Sequence, residues 1–428
     1  MTSPTTTERE NTRAWVLHPD IRGHEAARDA GLALEEAISL AHALPGLDVV
    51  GSEVVRLPRP HPGMLFGKGK LEELKERLAA HDVGLVLVDG PVSPVQQRNL
   101  EKALAVKLLD RTGLILEIFS ERAATREGVL QVEMAALSYQ RTRLVRAWTH
   151  LERQRGGLGF VGGPGETQIE ADRRAIDEQL VRLRRQLDKV VKTRELHRSA
   201  RAKVPFPIVA LVGYTNAGKS TLFNRMTGAK VMAKDMLFAT LDPTMRRIEL
   251  PGGGPEVILS DTVGFISDLP TELVAAFRAT LEEVLAADLI VHVRDISHPE
   301  TEEQAEDVRA IMDSLGVSED TPQIEVWNKI DRLDESEREA VVTRAARLDN
   351  VQAMSAWTGE GMDALIEAIT TGITEATHET TLTLGFDEGR KRAWLFEKGV
   401  VEGEEQGEDG FTLSVRWSAR QQAQFEKL

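Results

Sequence analysis

The sequence predicts an α/β protein of several domains: an N-terminal α/β domain that carries a long helical hairpin, a larger α/β domain with a phosphate-binding loop, and a small α+β domain at the C-terminus. Three observations support this prediction. Strand-like runs alternate with helical patterns in two stretches of the chain. Two amphipathic helical patterns flank a glycine-rich loop, and an apolar run leads directly into a GxxxxGKS loop. The length of 428 residues leaves room for about two to four domains.

Composition narrows the class of protein. There are 53 Lys and Arg against 68 Asp and Glu, a net charge of -15, which argues against a protein that coats nucleic acid with its whole surface. The chain has no cysteine, which excludes disulfides, thiol nucleophiles and Cys-ligated metal centres. The N-terminus lacks an apolar signal segment, and no apolar stretch approaches the ~20 residues that span a bilayer. We expect a soluble cytoplasmic monomer without a membrane span.

The first domain is predicted over residues 14–120, after a disordered tail at 1–13. Its strands are expected at Ala14–Leu17, Asp48–Leu57, Val83–Val88 and Val106–Leu109, and its helices at Ala26–Leu44, Leu71–Ala80 and Val95–Ala105. Alternation of this kind is typical of a parallel sheet covered by helices, although it leaves the order of the strands open.

Residues 121–204 are predicted to form the helical hairpin. Apolar residues keep a three-four spacing from Leu130 to Leu151 and again from Ile176 to Val190, and Gly156–Gly165 forms the glycine-rich tip between them. Residues 111–203 hold 19 basic and 12 acidic side chains, a net charge of +7 in a chain whose remainder is at -22. Two interpretations stay open: a solvated pair of helices laced by salt bridges, or a surface that binds RNA.

A phosphate-binding loop opens the second α/β domain, predicted over residues 205–375. The apolar run Ile208–Val212 leads into GYTNAGKS and then into a helical pattern, which is the strand–loop–helix context that a P-loop requires. Lys219 is expected to reach the β- and γ-phosphates, and Ser220 to ligate Mg²⁺. The nucleotide is also expected to contact the rest of the loop, namely Gly213, Tyr214, Thr215, Asn216, Ala217, Gly218 and Thr221.

Two later segments are expected to respond to the γ-phosphate. A second strand-like run ends in DxxG, formed by Asp261, Thr262, Val263 and Gly264. Here Asp261 would hold a magnesium-bound water and the Gly264 N–H would lie near the γ-phosphate. The preceding segment, made of Phe238, Ala239, Thr240, Leu241 and Asp242, is expected to close over the metal and the γ-phosphate. From chemistry alone, Thr240 and Thr244 are nearly equal candidates for the magnesium-binding threonine.

The base is expected to be guanine. NKxD follows a third strand-like run, as Asn328, Lys329, Ile330 and Asp331, and an SA element follows at Ser355, Ala356 and Trp357. A carboxylate that accepts two hydrogen bonds matches the N1–H and N2 amino edge of guanine, which adenine lacks, and a backbone amide of the SA element can meet O6. The motifs and their order therefore predict a P-loop GTPase domain that binds GTP, GDP and Mg²⁺.

Phe265 follows DxxG, where many GTPases orient the attacking water with a glutamine. A phenyl ring cannot perform that task. We therefore expect GTP hydrolysis that is slow in the isolated protein and that a partner stimulates by ordering the two segments.

The motifs resemble those of the HflX-type GTPases of the Obg–HflX group. The resemblance rests on GYTNAGKSTLFN, FATLDPT, DTVGF, NKID and SA, and it extends to Asp110–Leu116, Trp148–Arg153 and Gly163–Gln168 in the N-terminal half. It implies that Thr240 is the magnesium threonine and that Lys219, Thr240 and Gly264 form the catalytic group. Residues 376–428 are expected to form a small C-terminal domain, in which we recognise no catalytic motif. Members of the family are described as also binding ATP, but the sequence contains no second P-loop that would indicate an ATP site.

The resemblance also implies a partner and a function. Members of the family bind the large ribosomal subunit and dissociate stalled or idle ribosomes, with the glycine-rich tip entering ribosomal RNA near the peptidyl-transferase centre. This would explain a basic hairpin in an acidic chain. The alternative is a GTP-gated factor that binds RNA or assembling ribosomes without splitting them. A tRNA-modifying GTPase is less favoured because the chain lacks the cysteine that some of those enzymes carry.

Overall fold

The computed structural model describes most of the chain. The described residues are 11–21, 28–154, 164–201, 206–228, 237–238, 244–251, 254–267, 283–318, 321–373, 378–407, 410–417, 421–422 and 425–426. Among them, no helix is long and apolar enough to cross a membrane.

The N-terminal domain is a four-stranded parallel sheet in the order β2-β1-β3-β4. Its strands are β1 (Thr12–Ile21), β2 (Leu47–Leu57), β3 (Leu85–Val88) and β4 (Lys107–Asp110), and its helices are α1 (Ala30–Ala43), α2 (Lys68–Ala80), α3 (Pro94–Leu104) and α4 (Arg111–Arg122). The first strand begins at Thr12, inside the tail predicted at 1–13, because Thr12 pairs with Leu47 and its N–H donates to the Gly46 carbonyl at 2.8 Å.

Local sequence signals explain where these helices begin. Ser93 precedes Pro94 and forms a reciprocal pair of hydrogen bonds with Gln96, which satisfies the first free N–H groups of α3. Asp110 caps α4 by accepting from the Gly113 N–H at 2.9 Å. The cap places Asp110 and Arg111 at the carboxyl edge of the sheet.

Two long helices form the predicted hairpin, α5 (Arg126–Gln154) and α6 (Pro164–Arg201). Polar contacts join them, with Gln179 donating to Glu133 at 3.2 Å and the Arg141 guanidinium 2.7 Å from the Asp177 carboxylate. Leu130 of α5 and Leu183 of α6 are buried, whereas Val132 and Ala135 of α5 belong to the apolar core that includes Phe119. Most of the predicted glycine-rich tip, at 155–163, lies outside the described residues.

The central domain is a six-stranded sheet in the order β10-β9-β8-β5-β7-β6, in which only β6 runs antiparallel to its neighbour. Its strands are β5 (Ile208–Val212), β6 (Thr244–Glu249), β7 (Glu256–Asp261), β8 (Leu289–Asp295), β9 (Gln323–Asn328) and β10 (Val351–Ala353). Its helices are α7 (Lys219–Thr227), α8 (Thr301–Leu315), α9 (Glu335–Ala345) and α10 (Met362–Ile373), with a 3₁₀ turn at Ile330–Arg332. In this order β7 and β6 lie on one side of β5, and β8, β9 and β10 lie on the other side. Ligands of such sheets bind at the carboxyl edge, at the point where the strand order reverses.

The C-terminal unit is a small antiparallel sheet in the order β11-β13-β12 with one helix. It comprises β11 (His378–Gly385), α11 (Gly389–Glu397), β12 (Val401–Gln406) and β13 (Gly410–Trp417). Trp417 and Leu395 are fully buried at its centre. The predicted fold class is therefore confirmed, whereas the precise limits of the domains stay predictions.

A buried ion cluster joins the N-terminal domain to the central domain. It consists of Arg28, Glu36, Asp89, Arg111 and Glu300. Arg111 is nearly enclosed and contacts the carboxylates of Glu36 at 2.5 Å and Asp89 at 2.6 Å. Arg28 bridges Glu36 at 3.2 Å and Glu300, across the interface, at 2.8 Å. The charges thus compensate one another across the two domains.

Tyr214 and Ser267 of the central domain make further hydrogen bonds at this interface. The Tyr214 hydroxyl donates to Glu36 and accepts from the Ser267 N–H at 2.8 Å. Arg111 donates to the Ser267 carbonyl at 3.0 Å. Beside these contacts the Phe119 and Phe238 rings meet edge to face, with centroids 4.6 Å apart.

We predict that Arg111→Met destabilises the protein strongly. Burial raises the pKa of Glu36, but the guanidinium groups of Arg111 and Arg28 outweigh burial and hold it below its ordinary value. Without Arg111 two buried carboxylates lose their main cation, which costs about 3–5 kcal/mol of unfolding free energy. Equilibrium urea unfolding measures this difference.

Arg56→Ala is the matched control for that experiment. Arg56 is 81% exposed and lies 3.9 Å from Asp20, so its loss should change the unfolding free energy by no more than about 0.5 kcal/mol. Equal effects of the two substitutions would contradict a stabilising role for the ion cluster.

Candidate functional site

The four predicted nucleotide motifs lie at the carboxyl edge of the central sheet. The P-loop follows β5, DxxG follows β7, NKxD follows β9, and the SA element follows β10. Because β5 lies between β7 and β8, the P-loop that follows β5 lies at the point where the strand order reverses. The structure therefore brings together motifs that are more than 100 residues apart in the sequence, as the hydrogen bond from the Asn328 side chain to the Ala217 carbonyl shows.

Two glycines allow the P-loop to approach its neighbours closely. Gly213 has φ +150°, and a Cβ there would lie 2.1 Å from the Val293 carbonyl oxygen. Gly218 has φ +100°, and a Cβ there would lie 2.1 Å from the side-chain nitrogen of Asn328. Any other residue at either position would displace a strand or the NKxD loop.

Lys219 lies at the N-terminus of α7 and is turned back on its own loop. Its ammonium donates to the carbonyls of Gly213 at 3.0 Å and Tyr214 at 2.8 Å. Burial lowers the pKa of Lys219 to about 8, with a further lowering from Lys329 that Asp261 opposes. Phosphate oxygens would give this ammonium stronger acceptors than the two carbonyls.

Ser220 and Asp261 provide oxygen atoms suited to a divalent cation. The Ser220 hydroxyl donates to Asp261 at 2.7 Å, at the end of β7. Hydroxyl and carboxylate oxygens fit Mg²⁺, which takes its remaining ligands from water and nucleotide phosphates. Among the described residues, no group of three or more His, Asp or Glu side chains lies where it could hold a metal ion.

The predicted magnesium threonine is not settled by the geometry. Thr240 lies outside the described residues, as do Ala239, Leu241 and Asp242. The alternative, Thr244, is the first residue of β6 and pairs with Asp261 on the neighbouring strand β7.

Phe238 packs against the N-terminal domain. Its ring is buried in the apolar core against Phe119 of the N-terminal domain, so the ring itself is not available to a nucleotide. No local pattern in the sequence indicates that partner, and the contact predicted for the segment 238–242 stays a prediction.

The DxxG segment is bound to the P-loop through its backbone. The Thr215 N–H donates to the Phe265 carbonyl at 2.7 Å, and the Phe265 N–H donates to the Gly213 carbonyl at 3.1 Å. The Thr262 hydroxyl donates to the Leu211 carbonyl at 2.6 Å, and Val263 is buried. The side chains of Thr262 and Val263 therefore hold the segment in place, and its backbone faces the loop.

The guanine end of the site is organised by Asn328. Its side-chain nitrogen donates to the Ala217 carbonyl at 2.8 Å, and its oxygen accepts from the Ala356 N–H at 2.8 Å. The Ser355 hydroxyl donates to one oxygen of the Asp331 carboxylate. These bonds fix the NKxD, SA and phosphate loops relative to one another.

The other predicted guanine residues have different environments. Lys329 adopts φ +68° and its ammonium lies 2.7 Å from Asp295 at the end of β8. Ile330 is buried, and Trp357 is 78% exposed. Asp295 was not predicted, since an acidic residue after a strand is too common to single out.

Arg225 is a further site residue that no motif indicates. It lies on α7, donates to the Ala356 carbonyl at 2.7 Å and also donates to the Trp357 carbonyl. It therefore ties the helix that follows the P-loop to the SA loop. Only the tertiary structure reveals this contact, because more than 100 residues separate the partners.

We predict that nucleotide binding takes up a proton at alkaline pH. With a pKa of about 8, Lys219 is largely neutral at about pH 8.5, and nearby phosphates would restore its charge, so binding should take up about 0.75 proton. Affinity should fall as pH rises above about 8. Calorimetric titration with Mg²⁺ and GDP in two buffers of different ionisation enthalpy measures the uptake.

The same titration at about pH 7 serves as the control, because Lys219 is then already protonated and uptake should fall to about 0.1 proton. Equal proton uptake at the two pH values would contradict a role for Lys219 in phosphate binding.

Four family models match consecutive parts of the chain. Residues 32–120 match the N-terminal region of GTP-binding GTPases, and residues 122–201 match their middle region. Residues 208–329 match a model described as 50S ribosome-binding GTPase, and residues 340–428 match the HflX C-terminal domain.

Relatives match over nearly the full chain. The GTPase HflX of Magnetococcus marinus is 48% identical over 91% of this chain and 89% of its own length. The GTPase HflX of Escherichia coli is 47% identical over 83% of each chain. A putative GTP-binding protein 6 of Xenopus laevis is 36% identical over 91% of this chain and 74% of its own length. Together with the geometry of the nucleotide loops, these matches establish that the chain belongs to the HflX family and is a GTP-binding GTP hydrolase.

Proposed function

We propose that this GTPase binds the large ribosomal subunit in its GTP-bound state, dissociates stalled or idle ribosomes, and is released after hydrolysis. The proposal includes the predicted site: GTP contacts at 213–221, 238–242, 261–264, 328–331 and 355–357, with Mg²⁺ held by Ser220 and Thr240. Lys219, Thr240 and Gly264 form the catalytic group. The cytoplasmic location and the monomeric state expected from the sequence stay predictions.

The observation that carries the proposal is a connection between the hairpin and the DxxG segment. Asp110 accepts hydrogen bonds from the Tyr139 hydroxyl and from Arg143 at 3.0 Å, both on α5 of the hairpin. The next residue, Arg111, donates to the carbonyl of Ser267, three residues after Gly264. Two neighbouring side chains thus link the hairpin to the segment that would follow the γ-phosphate.

The surface of the hairpin supports an anionic partner. Among the described residues of α6, the exposed basic side chains are Arg173, Arg174, Arg182, Arg184, Arg185, Lys189 and Lys192. Arg174 lies 3.8 Å from Glu170, which is a weak pairing at an exposed site. Such a surface favours the RNA interpretation of the basic segment, and ribosomal RNA supplies closely spaced phosphates.

The proposed cycle follows from these links. GTP draws Gly264 and its neighbours toward the γ-phosphate, and the Ser267–Arg111–Asp110 contacts pass the new position of the segment to the middle of α5. The hairpin then engages RNA of the subunit. Loss of the γ-phosphate releases Gly264 and reverses both steps.

We predict that purified large ribosomal subunits accelerate GTP hydrolysis by the full-length protein strongly, because Phe265 cannot orient the attacking water. Phosphate release with and without subunits measures the effect, and small subunits serve as the control. No acceleration, with GTP binding intact, would refute the ribosome as the activator.

We also predict that shortening the loop Gly156–Gly165 abolishes ribosome splitting while GTP affinity stays unchanged, since the nucleotide contacts lie in the other domain. Sedimentation of intact ribosomes incubated with protein and GTP measures splitting. Unchanged splitting would contradict the role of the tip. Binding restricted to immature particles, without turnover, would instead support an assembly factor.

A further inference from the structure

Hydrolysis of GTP requires a group that orients water at the γ-phosphate, and Phe265 does not provide one. Its ring is only 1% exposed and belongs to an apolar core that includes Phe119 and Phe238. Its backbone N–H and carbonyl are both bound to the P-loop. Because ring and backbone are both fixed, a polar group from another position has to act on the phosphate or the water.

Thr215 has a polar group that is not otherwise used. It lies inside the P-loop and is 6% exposed, and its hydroxyl oxygen is buried with no hydrogen-bond partner in the part of the chain that the structure describes. Its N–H is already bound to the Phe265 carbonyl. A buried hydroxyl without a partner is uncommon, and such a group calls for a missing ligand or water.

The surroundings of Thr215 place it at the γ-phosphate end of the site. A Cβ on Gly264 would lie 2.8 Å from both the Cα and the Cγ2 of Thr215, and 3.1 Å from the Lys219 ammonium. Thr215, Gly264 and Lys219 thus converge on one point. Gly264 and Lys219 are the two groups that sense the γ-phosphate in a P-loop GTPase, so Thr215 lies at the end of the site where the γ-phosphate would bind.

We infer that Thr215 is a catalytic residue whose hydroxyl hydrogen-bonds to the γ-phosphoryl group of GTP as it is transferred to water. The hydroxyl forms no covalent bond. A water oxygen bonds to the γ-phosphorus, the bond from that phosphorus to the β–γ bridging oxygen breaks, and the proton of the water passes to the phosphate released. The hydrogen bond from Thr215 stabilises charge on the phosphoryl oxygens during this step.

The test compares Thr215→Val with Thr215→Ser in the full-length protein. Valine keeps the branched shape and removes the hydroxyl, while serine keeps the hydroxyl and removes the methyl group. Single-turnover GTP hydrolysis without ribosomal partners gives the rate of the chemical step, so the result does not depend on the proposed ribosome binding. Affinities for GDP and for a non-hydrolysable GTP analogue are measured in parallel.

Thr215→Val should slow hydrolysis by about 100-fold, the effect of losing one preorganised donor to a developing charge. It should weaken binding of the GTP analogue while GDP affinity stays within about twofold, because GDP lacks the contacted group. Thr215→Ser should keep most of the rate. A valine variant that loses less than tenfold in rate, or that loses affinity for GDP as much as for the analogue, would overturn the assignment.

Discussion

The arrangement of this protein depends on the ion cluster that is buried between the N-terminal domain and the GTPase domain. Charged side chains lose their hydration when two domains close over them, and this loss is compensated only when each charge meets a partner in a specific geometry. Arg111 meets Glu36 and Asp89 within one domain, while Arg28 reaches Glu300 in the other. A different docking of the two domains would leave these charges buried and unpaired, so the cluster selects one orientation.

This constraint explains why two residues in or next to the nucleotide motifs, Tyr214 and Phe265, have large side chains that point away from the nucleotide site. Tyr214 follows the first glycine of the P-loop, yet its hydroxyl binds Glu36 and Ser267 at the domain interface. Phe265 follows DxxG, and its ring packs into the core shared by both domains. At both positions the backbone serves the nucleotide site and the side chain serves the interface. A hydrolytic group is thereby lost at Phe265, which is consistent with an activity that depends on other residues or on a partner.

The sequence predicted the fold class and the nucleotide motifs because these depend on local patterns: an apolar strand, a glycine loop, and a helix start. It could not predict strand order, since β10 and β6 reach opposite edges of the central sheet through long-range pairing. It missed Arg225, whose acceptors are the distant carbonyls of Ala356 and Trp357. It could not predict that the Phe238 ring packs against Phe119, because that partner lies in another domain.

Because the hairpin is long, a small movement at the domain interface would become a larger movement at the far end of the hairpin. Tyr139 and Arg143 are held by Asp110 midway along α5, and the helix continues to Gln154. At a rise of about 1.5 Å per residue, the part beyond Arg143 extends roughly 16 Å from its anchor. A helix of this kind transmits a rotation at its anchor as a larger displacement at its end. The Asp110–Arg111 pair lies where such a rotation would begin, so small movements of DxxG would be amplified along the hairpin. This amplification requires that α6 move together with α5, and the contacts of Gln179 with Glu133 and of Arg141 with Asp177 join the two helices.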